Sequence, residues 1–456
     1  MKSFFRLFIA IGLLTCFVTA CGSSDEPIVS SKGDTTSLDT ANTTTLVYMI
    51  GENSLTYNTD YNGSNYDYME YNIQQMLVGI KKAPVGSTWL VYIDKNTEPV
   101  LYQIKLRSDG QVERDTVCTY SDQYSTDPNI MSKVIADAYT RFPAEKYGLI
   151  LSSHGGSWFE GYEIPESLRA KSFGAEWRTE IKSDYYTFTM NIPTIATALA
   201  NVNAVTGKKL QYILFDSCLM GGIEVAYELK DVTNYFMASA ASIWGYGIPY
   251  ATSMSGLATM DETGLTAAGN AFYSYYSKAT CTMSLINEAE IKELALAFKE
   301  MLEVPECQSR ANSLTCTGLE LFEETSAYYF NRDFMQMCDT IAGSSTAGQT
   351  ALAKIKTTMN QILVKKWNTA YASANTDQVS ISSNGISIES NYLIYPIPNF
   401  CGLSGYVPSL ADYNTVYSKY GYSTAGIKSI YQNHLTFYKT LQWYKDCGWS
   451  LSSKFQ

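Results

Sequence analysis

The sequence has few charged residues, and its basic residues are not clustered. Only 17% of the 456 residues are Asp, Glu, Lys or Arg, and the formal net charge is −11. An acidic chain that nowhere concentrates Lys or Arg repels the phosphate backbone of DNA and RNA. We therefore expect no nucleic acid among the partners of this protein.

Histidine is scarce as well, and the spacings typical of structural zinc sites are missing. The chain has 2 histidines and 10 cysteines, but no CxxC or HxxxH pair. A structural zinc site is therefore not indicated. Cys307 and Cys316 are close enough in sequence to form a disulfide in an oxidising compartment.

The apolar run at the N-terminus is too short to span a membrane. Residues 4–20 read FFRLFIAIGLLTCFVTA and follow Lys2. A membrane helix needs about 20 apolar residues, so this run is more typical of a signal peptide. Residues 18–21, VTAC, resemble a bacterial lipobox, whose cysteine receives a lipid. We expect residues 1–20 to be removed and Cys21 to be lipidated; the alternative is an ordinary signal peptide in which Cys21 has no role.

The segment that follows Cys21 is polar and cannot bury enough apolar surface to fold. We interpret residues 21–43 as a flexible tether between the lipid and the folded part. The protein is then expected in the bacterial cell envelope, anchored to a membrane through its lipid. Asp25 and Glu26, shortly after Cys21, favour the outer membrane and exposure at the cell surface.

Short apolar runs alternate with segments of helical periodicity from residue 44 onward. Continuous apolar runs of strand length suit strands that are buried on both faces. The predicted strands are 44–51, 87–94, 100–106, 147–153, 211–217 and 235–240, and the predicted helices are 64–82, 127–142, 191–202 and 220–230. This alternation predicts an α/β domain over residues 44–256, with a mostly parallel sheet between two layers of helices.

The second half of the chain is less regular. Residues 258–303 and 317–370 have apolar residues at helical spacing, and residues 386–398 are strand-like. We interpret residues 257–456 as a smaller α+β domain that packs on the first.

Two residues with catalytic chemistry follow consecutive predicted strands. His154 comes directly after one strand and precedes two glycines, and Cys218 comes directly after the next. Ligands of open α/β sheets bind beyond the carboxyl ends of the strands, so the sheet itself brings the imidazole and the thiol together. Each residue alone also has a structural explanation, as a buried histidine or an inert buried cysteine.

The surroundings of Cys218 favour a reactive thiol. The predicted helix over 220–230 places Cys218 near a helix N-terminus, which lowers a thiol pKa, and a nearby imidazole can take the thiol proton. The second histidine, His434, lies on a predicted C-terminal helix, where we expect a surface or packing residue.

Three motifs in this order resemble the clostripain family of cysteine peptidases, relatives of caspases, gingipains and legumain. They are TTLVYMIGENSL (44–55), LILSSHGGSW (149–158) and YILFDSCLMGGIEVAYEL (212–229). The resemblance implies a caspase-like three-layer sandwich and a cysteine endopeptidase. It assigns His154 as general acid/base and Cys218 as nucleophile, with no third member. The backbone N–H groups of Gly155 and Cys218 would form the oxyanion hole.

The resemblance also implies a zymogen that cleaves itself in the loop between the catalytic strands. That loop is long and polar here, and its AKSFG segment best matches the processing segment of the family. This match predicts cleavage between Lys171 and Ser172, with Arg169 and Arg178 as alternatives. Exposed loops are favoured cleavage sites in any protein.

The pocket for the residue before the cut departs from the family pattern. Acidic side chains line this pocket in clostripain-like enzymes and select Arg or Lys, and Asp216 matches one of them. Ala240, Ala241 and Tyr246 stand where the other acidic residues are usual. Tyr246 and Trp244 would instead favour a flat or apolar side chain, or stack on a cation. These departures leave open whether this chain prefers Arg or Lys before the cut.

The expected partners are peptide or protein substrates and a membrane, and the chain is expected to be a monomer. The dyad needs no cofactor, although some relatives use Ca²⁺. Two other functions remain open. One is a surface-binding lipoprotein that keeps the scaffold without catalysis, and the other is a transferase, such as a transpeptidase, that uses the same dyad.

Overall fold

A computed structural model describes ten stretches of the chain. They are residues 41–59, 65–95, 98–160, 164–165, 172–178, 186–323, 326–373, 379–382, 385–388 and 394–455. The predicted signal peptide, Cys21 and the tether up to residue 40 lie outside them, as do Arg169 and Lys171. The first described element is a strand that begins at Ala41, three residues before the predicted start of the domain at 44.

The strands are β1 Ala41–Ile50, β2 Asn58–Thr59, β3 Asn65–Tyr66, β4 Ser87–Asp94, β5 Val100–Leu106, β6 Val112–Thr119, β7 Ala144–Ser152, β8 Ile164–Pro165, β9 Phe173–Arg178, β10 Tyr186–Met190, β11 Leu210–Asp216, β12 Thr233–Ala238, β13 Thr282–Asn287, β14 Asn331–Asp333, β15 Leu363–Asn368, β16 Tyr371–Ser373, β17 Val379–Ser382, β18 Gly385–Ile388, β19 Ile394–Pro396 and β20 Ser404–Tyr406.

The α-helices are α1 Tyr68–Gly79, α2 Pro128–Arg141, α3 Ile192–Thr206, α4 Ile223–Leu229, α5 Tyr250–Thr259, α6 Glu262–Tyr276, α7 Ile291–Glu303, α8 Pro305–Ser313, α9 Phe334–Ala342, α10 Thr346–Ile362, α11 Leu410–Ser418, α12 Thr424–Tyr438 and α13 Gln442–Asp446. None of the helices in the described stretches is both long enough and apolar enough to cross a membrane.

A nine-stranded sheet forms the centre of the molecule, with the order β15-β13-β12-β11-β7-β1-β4-β5-β6. The middle five strands, from β12 to β4, run parallel to one another. The outer strands β5, β6, β13 and β15 pair antiparallel at the two edges. The predicted α/β fold with a mostly parallel sheet is confirmed for the central strands.

Strand β1 shows why the central parallel strands have continuous apolar sequences. Leu46, Tyr48 and Ile50 point into a core with helices α2, α3 and α4. Val47 and Met49 point into a second core with helices α1, α5 and α6. Because successive side chains of a strand point to opposite faces, both sets must be apolar when helices cover both faces. This is the expected three-layer sandwich.

The second half of the chain extends the same sheet. Strands β13 and β15 join its edge, and residues from both halves share one hydrophobic core. The predicted boundary at residue 256 therefore separates neither two sheets nor two cores. The helix expected over 258–303 is interrupted by β13, and the one expected over 317–370 contains β14 and ends in β15. Smaller two-stranded sheets account for the remaining α+β character.

None of the cysteines in the described stretches forms a disulfide. Cys307 and Cys316 are both buried and form no disulfide, so the bridge suggested by their spacing is wrong. Cys118 and Cys218 are the partly exposed ones among the described residues.

Candidate active site

Adjacent parallel strands place His154 and Cys218 at the same edge of the sheet. In the pairing of β7 with β11, Ser152 lies directly opposite Asp216. His154 and Cys218 each follow two residues later, so the sheet register delivers both side chains to one point. Both residues line one cleft, and both are half-buried. The predicted meeting of the two side chains at the carboxyl ends of the strands follows from this register.

The loop that carries His154 is held by strand β9. The Gly156 N–H donates to the Ser172 carbonyl at 2.6 Å, and the Gly174 N–H donates to the His154 carbonyl at 2.9 Å. These two bonds form an antiparallel bridge around Gly155 and Phe173. The backbone on either side of Gly155 is thus fixed, and His154 is presented from a rigid segment.

Gly155 has no room for a side chain. A β-carbon there would lie 2.2 Å from Ser217 Oγ and 2.5 Å from the Cys218 carbonyl oxygen. The glycine therefore allows the His154 loop and the Cys218 loop to touch. Neither the Gly155 N–H nor the Cys218 N–H donates to a backbone carbonyl of the described residues. Both groups are thus available for the oxyanion hole that the resemblance implies.

The thiol of Cys218 lies against the backbone of Ile243. Its Sγ is 3.6 Å from the Ile243 carbonyl oxygen and accepts from the Ile243 N–H at 3.4 Å. Burial raises the pKa of the Cys218 thiol to about 11, and the Glu323 and Asp216 carboxylates add to the increase. The thiol is therefore neutral in this arrangement.

The expectation that a helix N-terminus activates Cys218 is wrong. Helix α4 begins at Ile223 with Gly222 as its N-cap, so Cys218 lies outside the first turn. The effect of a helix terminus falls off within one turn. A sharp turn follows Cys218 instead, because Leu219 has the left-handed φ of 62°. Such backbone costs about 1–2 kcal/mol for a non-glycine residue, and it recurs at functional sites.

Asp216 lines the cleft, whose empty space, with the open solvent at its mouth, is about 350 Å³. Its carboxylate accepts from the Ile248 N–H at 3.0 Å and from the Tyr250 hydroxyl at 2.8 Å. Burial raises the pKa of Asp216 to about 6, although these hydrogen bonds act in the opposite direction. Among the described residues that line the cleft, Asp216 is the one with a carboxylate.

The three positions that lack the family's acidic residues have separate environments. Ala240 and Ala241 are buried in a small apolar cluster with Phe322 and Phe400, and neither lines the cleft. The ring of Tyr246 packs edge-on against Tyr66, Tyr68 and Tyr71.

Aromatic side chains form part of the cleft wall. Trp244 lines the cleft, as expected, and its Nε1 donates to the Thr280 carbonyl at 2.9 Å. Tyr246 does not line the cleft itself, but Tyr68, on which it packs, does. Tyr246 therefore supports the wall from behind.

Three further residues lie at the site without having been singled out in the sequence. Ser54 Oγ lies 2.9 Å from His154 Nε2. Asn72 of helix α1 lines the cleft, is 3% exposed, and its Oδ1 has no hydrogen-bond partner among the described residues. Glu323 accepts from the Ser242 hydroxyl at 3.0 Å, next to Ile243. Ser54 lies inside the GENSL motif, so the sequence could have identified it as a site residue. Asn72 and Glu323 are brought to the site by tertiary packing, and no sequence pattern marks them.

The second histidine is a packing residue. His434 is buried on α12, and its Nδ1 pairs with the Tyr413 hydroxyl at 2.6 Å. Burial lowers the pKa of His434 to about 4, so the ring is neutral. Of the two alternatives for this residue, packing is confirmed.

Of the two residues that flank the predicted cleavage site, the structure describes only Ser172. Lys171 lies outside the described residues, whereas Ser172 is buried and its hydroxyl donates to the Ser157 carbonyl at 3.2 Å. The backbone of Arg178 ends strand β9. The chain just after the predicted bond is therefore fixed beside the His154 loop.

Calcium, which some relatives use, needs six to eight oxygen ligands around the ion. Within the described stretches, no group of three or more His, Cys, Asp or Glu side chains is placed to share a metal ion. The described residues thus offer no cluster of acidic side chains for Ca²⁺, and no catalytic step is assigned to a metal.

Comparisons with known proteins agree on one family. The model of the clostripain family matches residues 47–451. Clostripain of Hathewaya histolytica is 28% identical over 151 residues, which are 32% of this chain and 27% of that protein. The chain is thus matched to about a quarter of the length of this curated relative.

Solved structures of C11 proteases share the fold. The structure of an inactive zymogen C11 protease from Parabacteroides distasonis is 25% identical, with a TM-score of 0.67, and the match covers 90% of this chain and 98% of that one. A secreted C11 cysteine protease from Bacteroides thetaiotaomicron, in complex with an irreversible peptide inhibitor, is 23% identical, with a TM-score of 0.66 and coverage of 90% and 99%. Since the family model matches nearly the whole chain, this protein belongs to the clostripain family.

Proposed function

We propose that this protein is a cysteine endopeptidase in which Cys218 is the nucleophile and His154 the general acid/base. The observation that carries the proposal is the register of β7 and β11, which delivers both residues to one cleft. Membership of the clostripain family supports the same chemistry. A nucleophile and a base that line the same cleft are the pair of groups that acyl transfer requires.

The neutral state of the thiol determines how the reaction starts. The substrate carbonyl enters the cleft, and the Cys218 thiol turns away from the Ile243 carbonyl toward His154. Its proton passes to the imidazole as sulfur forms a bond to the carbonyl carbon. The oxyanion that results accepts hydrogen bonds from the N–H groups of Gly155 and Cys218.

The second half of the reaction reverses the role of the histidine. The His154 imidazolium gives its proton to the leaving amine as the C–N bond breaks, which leaves a thioester on Cys218. The neutral His154 then takes a proton from water, whose oxygen attacks the thioester carbonyl. The C–S bond breaks, the peptide acid leaves, and the proton returns to the Cys218 sulfur.

We also include self-processing and lipid anchoring in the proposal. Cleavage between Lys171 and Ser172 is supported by the position of Ser172 beside the His154 loop. A related C11 protease structure is described as an inactive zymogen, which agrees with latency before cleavage. The VTAC segment supports a lipid on Cys21.

A peptide-library digestion tests the catalytic proposal. We expect cleavage by the native protein, none by Cys218→Ala, and normal cleavage by Cys118→Ala. Cys118 is the matched control because it is also partly exposed but lies on β6, at the far edge of the sheet. The proposal fails if the native protein cleaves nothing in the library, or if Cys218→Ala cleaves as well as the native protein. Transfer of the acyl group to an added amine in place of water would instead indicate a transpeptidase.

Metabolic labelling with a fatty-acid analogue tests the lipid anchor. We expect label on the native chain in the membrane fraction, and an unlabelled chain released from the membrane in Cys21→Ala. Equal labelling of both chains would contradict the assignment of Cys21.

A further inference from the structure

The loop after strand β1 reaches the catalytic histidine. Met49 near the end of β1 lies opposite Ser152 near the end of β7, so the loops that follow the two strands are neighbours. Within the β1 loop, the Ser54 hydroxyl lies 2.9 Å from His154 Nε2. Ser54 is half-buried, and its side chain makes no other hydrogen bond to a described residue.

The loop is rigid for reasons that do not involve Ser54. The Asn53 side chain donates to the carbonyls of Ile50 and Ala175, each at 2.8 Å, and accepts from the Leu55 N–H at 2.8 Å. Asn53 is fully buried. Because Asn53 holds the loop, the Ser54 hydroxyl is left to contact His154.

We infer that Ser54 is a positioning residue that holds the His154 ring through Nε2, so that proton exchange with Cys218 takes place on the Nδ1 side. The inference rests on the dyad proposed above and adds a third member to it. In the neutral ring, an Nε2–H that donates to Ser54 Oγ fixes the tautomer in which Nδ1 is the basic nitrogen. In the imidazolium, the same bond stabilises the charge that forms when the thiol gives up its proton.

A positioning role of the Ser54 hydroxyl and a purely structural role have different kinetic consequences. A hydroxyl that only supports the loop would affect folding and substrate binding when removed. A hydroxyl that orients the base affects the chemical step and leaves binding unchanged. Loss of one neutral hydrogen bond to the base corresponds to a roughly 3- to 10-fold decrease in kcat.

The experiment compares Ser54→Ala and Ser54→Thr with the native full-length protein. We expect Ser54→Ala to lower kcat by that factor with KM and the melting temperature unchanged, and Ser54→Thr, which keeps a hydroxyl, to restore kcat. Ser313→Ala, at an exposed position in α8, controls for loss of a serine hydroxyl elsewhere.

A second measurement does not depend on peptide cleavage. The rate at which iodoacetamide alkylates Cys218 reports transfer of the thiol proton to His154. We expect slower alkylation in His154→Ala, a smaller decrease in Ser54→Ala, and the native rate in Ser54→Thr. If the native protein cleaves no peptide, the proposed function fails, while the alkylation rates still decide the role of Ser54.

Two results would overturn the inference. One is a native kcat and a native alkylation rate in Ser54→Ala. The other is a Ser54→Thr variant as slow as Ser54→Ala with a lowered melting temperature in both, which would show that Ser54 supports the loop.

Discussion

Gly155 is the position where the two catalytic loops approach each other most closely. A β-carbon there would overlap Ser217 Oγ and crowd the Cys218 carbonyl, so Gly155→Ala must push the loops apart. We expect kcat/KM to decrease by about 100-fold or more, the usual effect of losing one donor of an oxyanion hole. The measurement is hydrolysis of a fluorogenic peptide together with circular dichroism.

Gly426→Ala is the matched control for this substitution. Gly426 lies in the first turn of α12, and a β-carbon there would meet Ser423 Oγ at an ordinary 3.4 Å. We expect native activity from it. Gly155→Ala with native kcat/KM would mean that the loops can part without harm to catalysis.

We expect Asp216 to make recognition of a basic side chain dependent on pH. Burial raises its pKa to about 6, so the free enzyme carries a carboxylate in the cleft above this pH and a neutral acid below it. We expect kcat/KM for a substrate with lysine before the cut to decrease by up to about 10-fold per pH unit below pH 6. A substrate with leucine at that position should lack this decrease.

Asp216→Asn tests the assignment, because it removes the charge and keeps the shape. The lysine substrate should then lose its advantage over the leucine substrate at every pH. Two parallel pH profiles in the native enzyme would contradict a role for Asp216 in charge recognition.

Asn72 places a polar side chain in the wall of the cleft. Asn72 lines the cleft, its buried Oδ1 has no partner among the described residues, and leaving such a group unpaired costs about 1–3 kcal/mol. We expect Asn72→Leu to lower kcat/KM for the lysine substrate about 10-fold or more, and to leave the leucine substrate unaffected. A steady-state comparison of the two substrates measures this; equal losses on both would show that Asn72 only shapes the cleft.

Helix α4 connects the segment after Cys218 to the C-terminal part of the chain. Glu224 on this helix is buried, and its Oε1 accepts from the Tyr406 N–H and the Tyr438 hydroxyl, each at 2.9 Å. Burial raises the pKa of Glu224 to about 7, against those hydrogen bonds. The folded state thus favours the protonated acid. Its contribution to stability is full below the unfolded pKa near 4.5 and is lost as pH rises through 7.

We therefore expect Glu224→Gln to unfold like the native protein at pH 4.5 and to be more stable at pH 8, by roughly 1–3 kcal/mol. Urea titration at the two pH values measures the difference. Tyr444→Phe, which alters a partly exposed tyrosine within α13, serves as a control without this pH dependence. A destabilised variant at pH 8 would show that the carboxylate itself is required.

The strands near the site were predictable because their sequence pattern is local. The predicted strands 87–94 and 100–106 coincide with β4 and β5, and helix α2 begins after its Asp127 cap as the Asp-Pro pair indicates. Strand β13 was missed because its short apolar run lies among residues with helical spacing. The local sequence pattern does not specify that this run pairs with β12 and β15, which are distant along the chain.

The part of the site that could be predicted from the sequence is the part where a motif lies at the end of a predicted strand. His154 and Cys218 follow from two adjacent strand ends, and the glycine between the loops follows from the GG pair. The environment of the thiol was not predictable, because α4 starts later than the apolar pattern suggests and Ile243 arrives from another loop. Ser54 and Asn72 depend on how β1 and α1 pack beside the cleft, which periodicity does not specify.

The two halves of a chain cut at Lys171–Ser172 would share one sheet. Strand β7 precedes the cut and β11 follows it, yet the two are paired neighbours in the centre of the sheet. Strand β9, just after the cut, is bonded to the His154 loop. We expect both fragments to co-elute at the volume of the intact chain in size-exclusion chromatography, and to separate only in denaturant.

N-terminal sequencing of the two fragments identifies the cut. A new N-terminus at Ser172 is expected in the native protein, and an intact chain in Cys218→Ala. An active preparation that contains one uncut chain would show that processing is not needed, and fragments that separate without denaturant would contradict the shared sheet.

The order of the strands also determines when the enzyme can first act. Ser54, His154 and Cys218 follow three neighbouring strands, β1, β7 and β11, which are adjacent in space but far apart along the chain. Pairings over such long separations form slowly, because the intervening chain must first be closed into loops. The nucleophile is also the last of the three to leave the ribosome. A growing or half-folded chain therefore has no working site, and in a refolding experiment activity should return only with the slowest sheet pairing, after most helical signal has recovered.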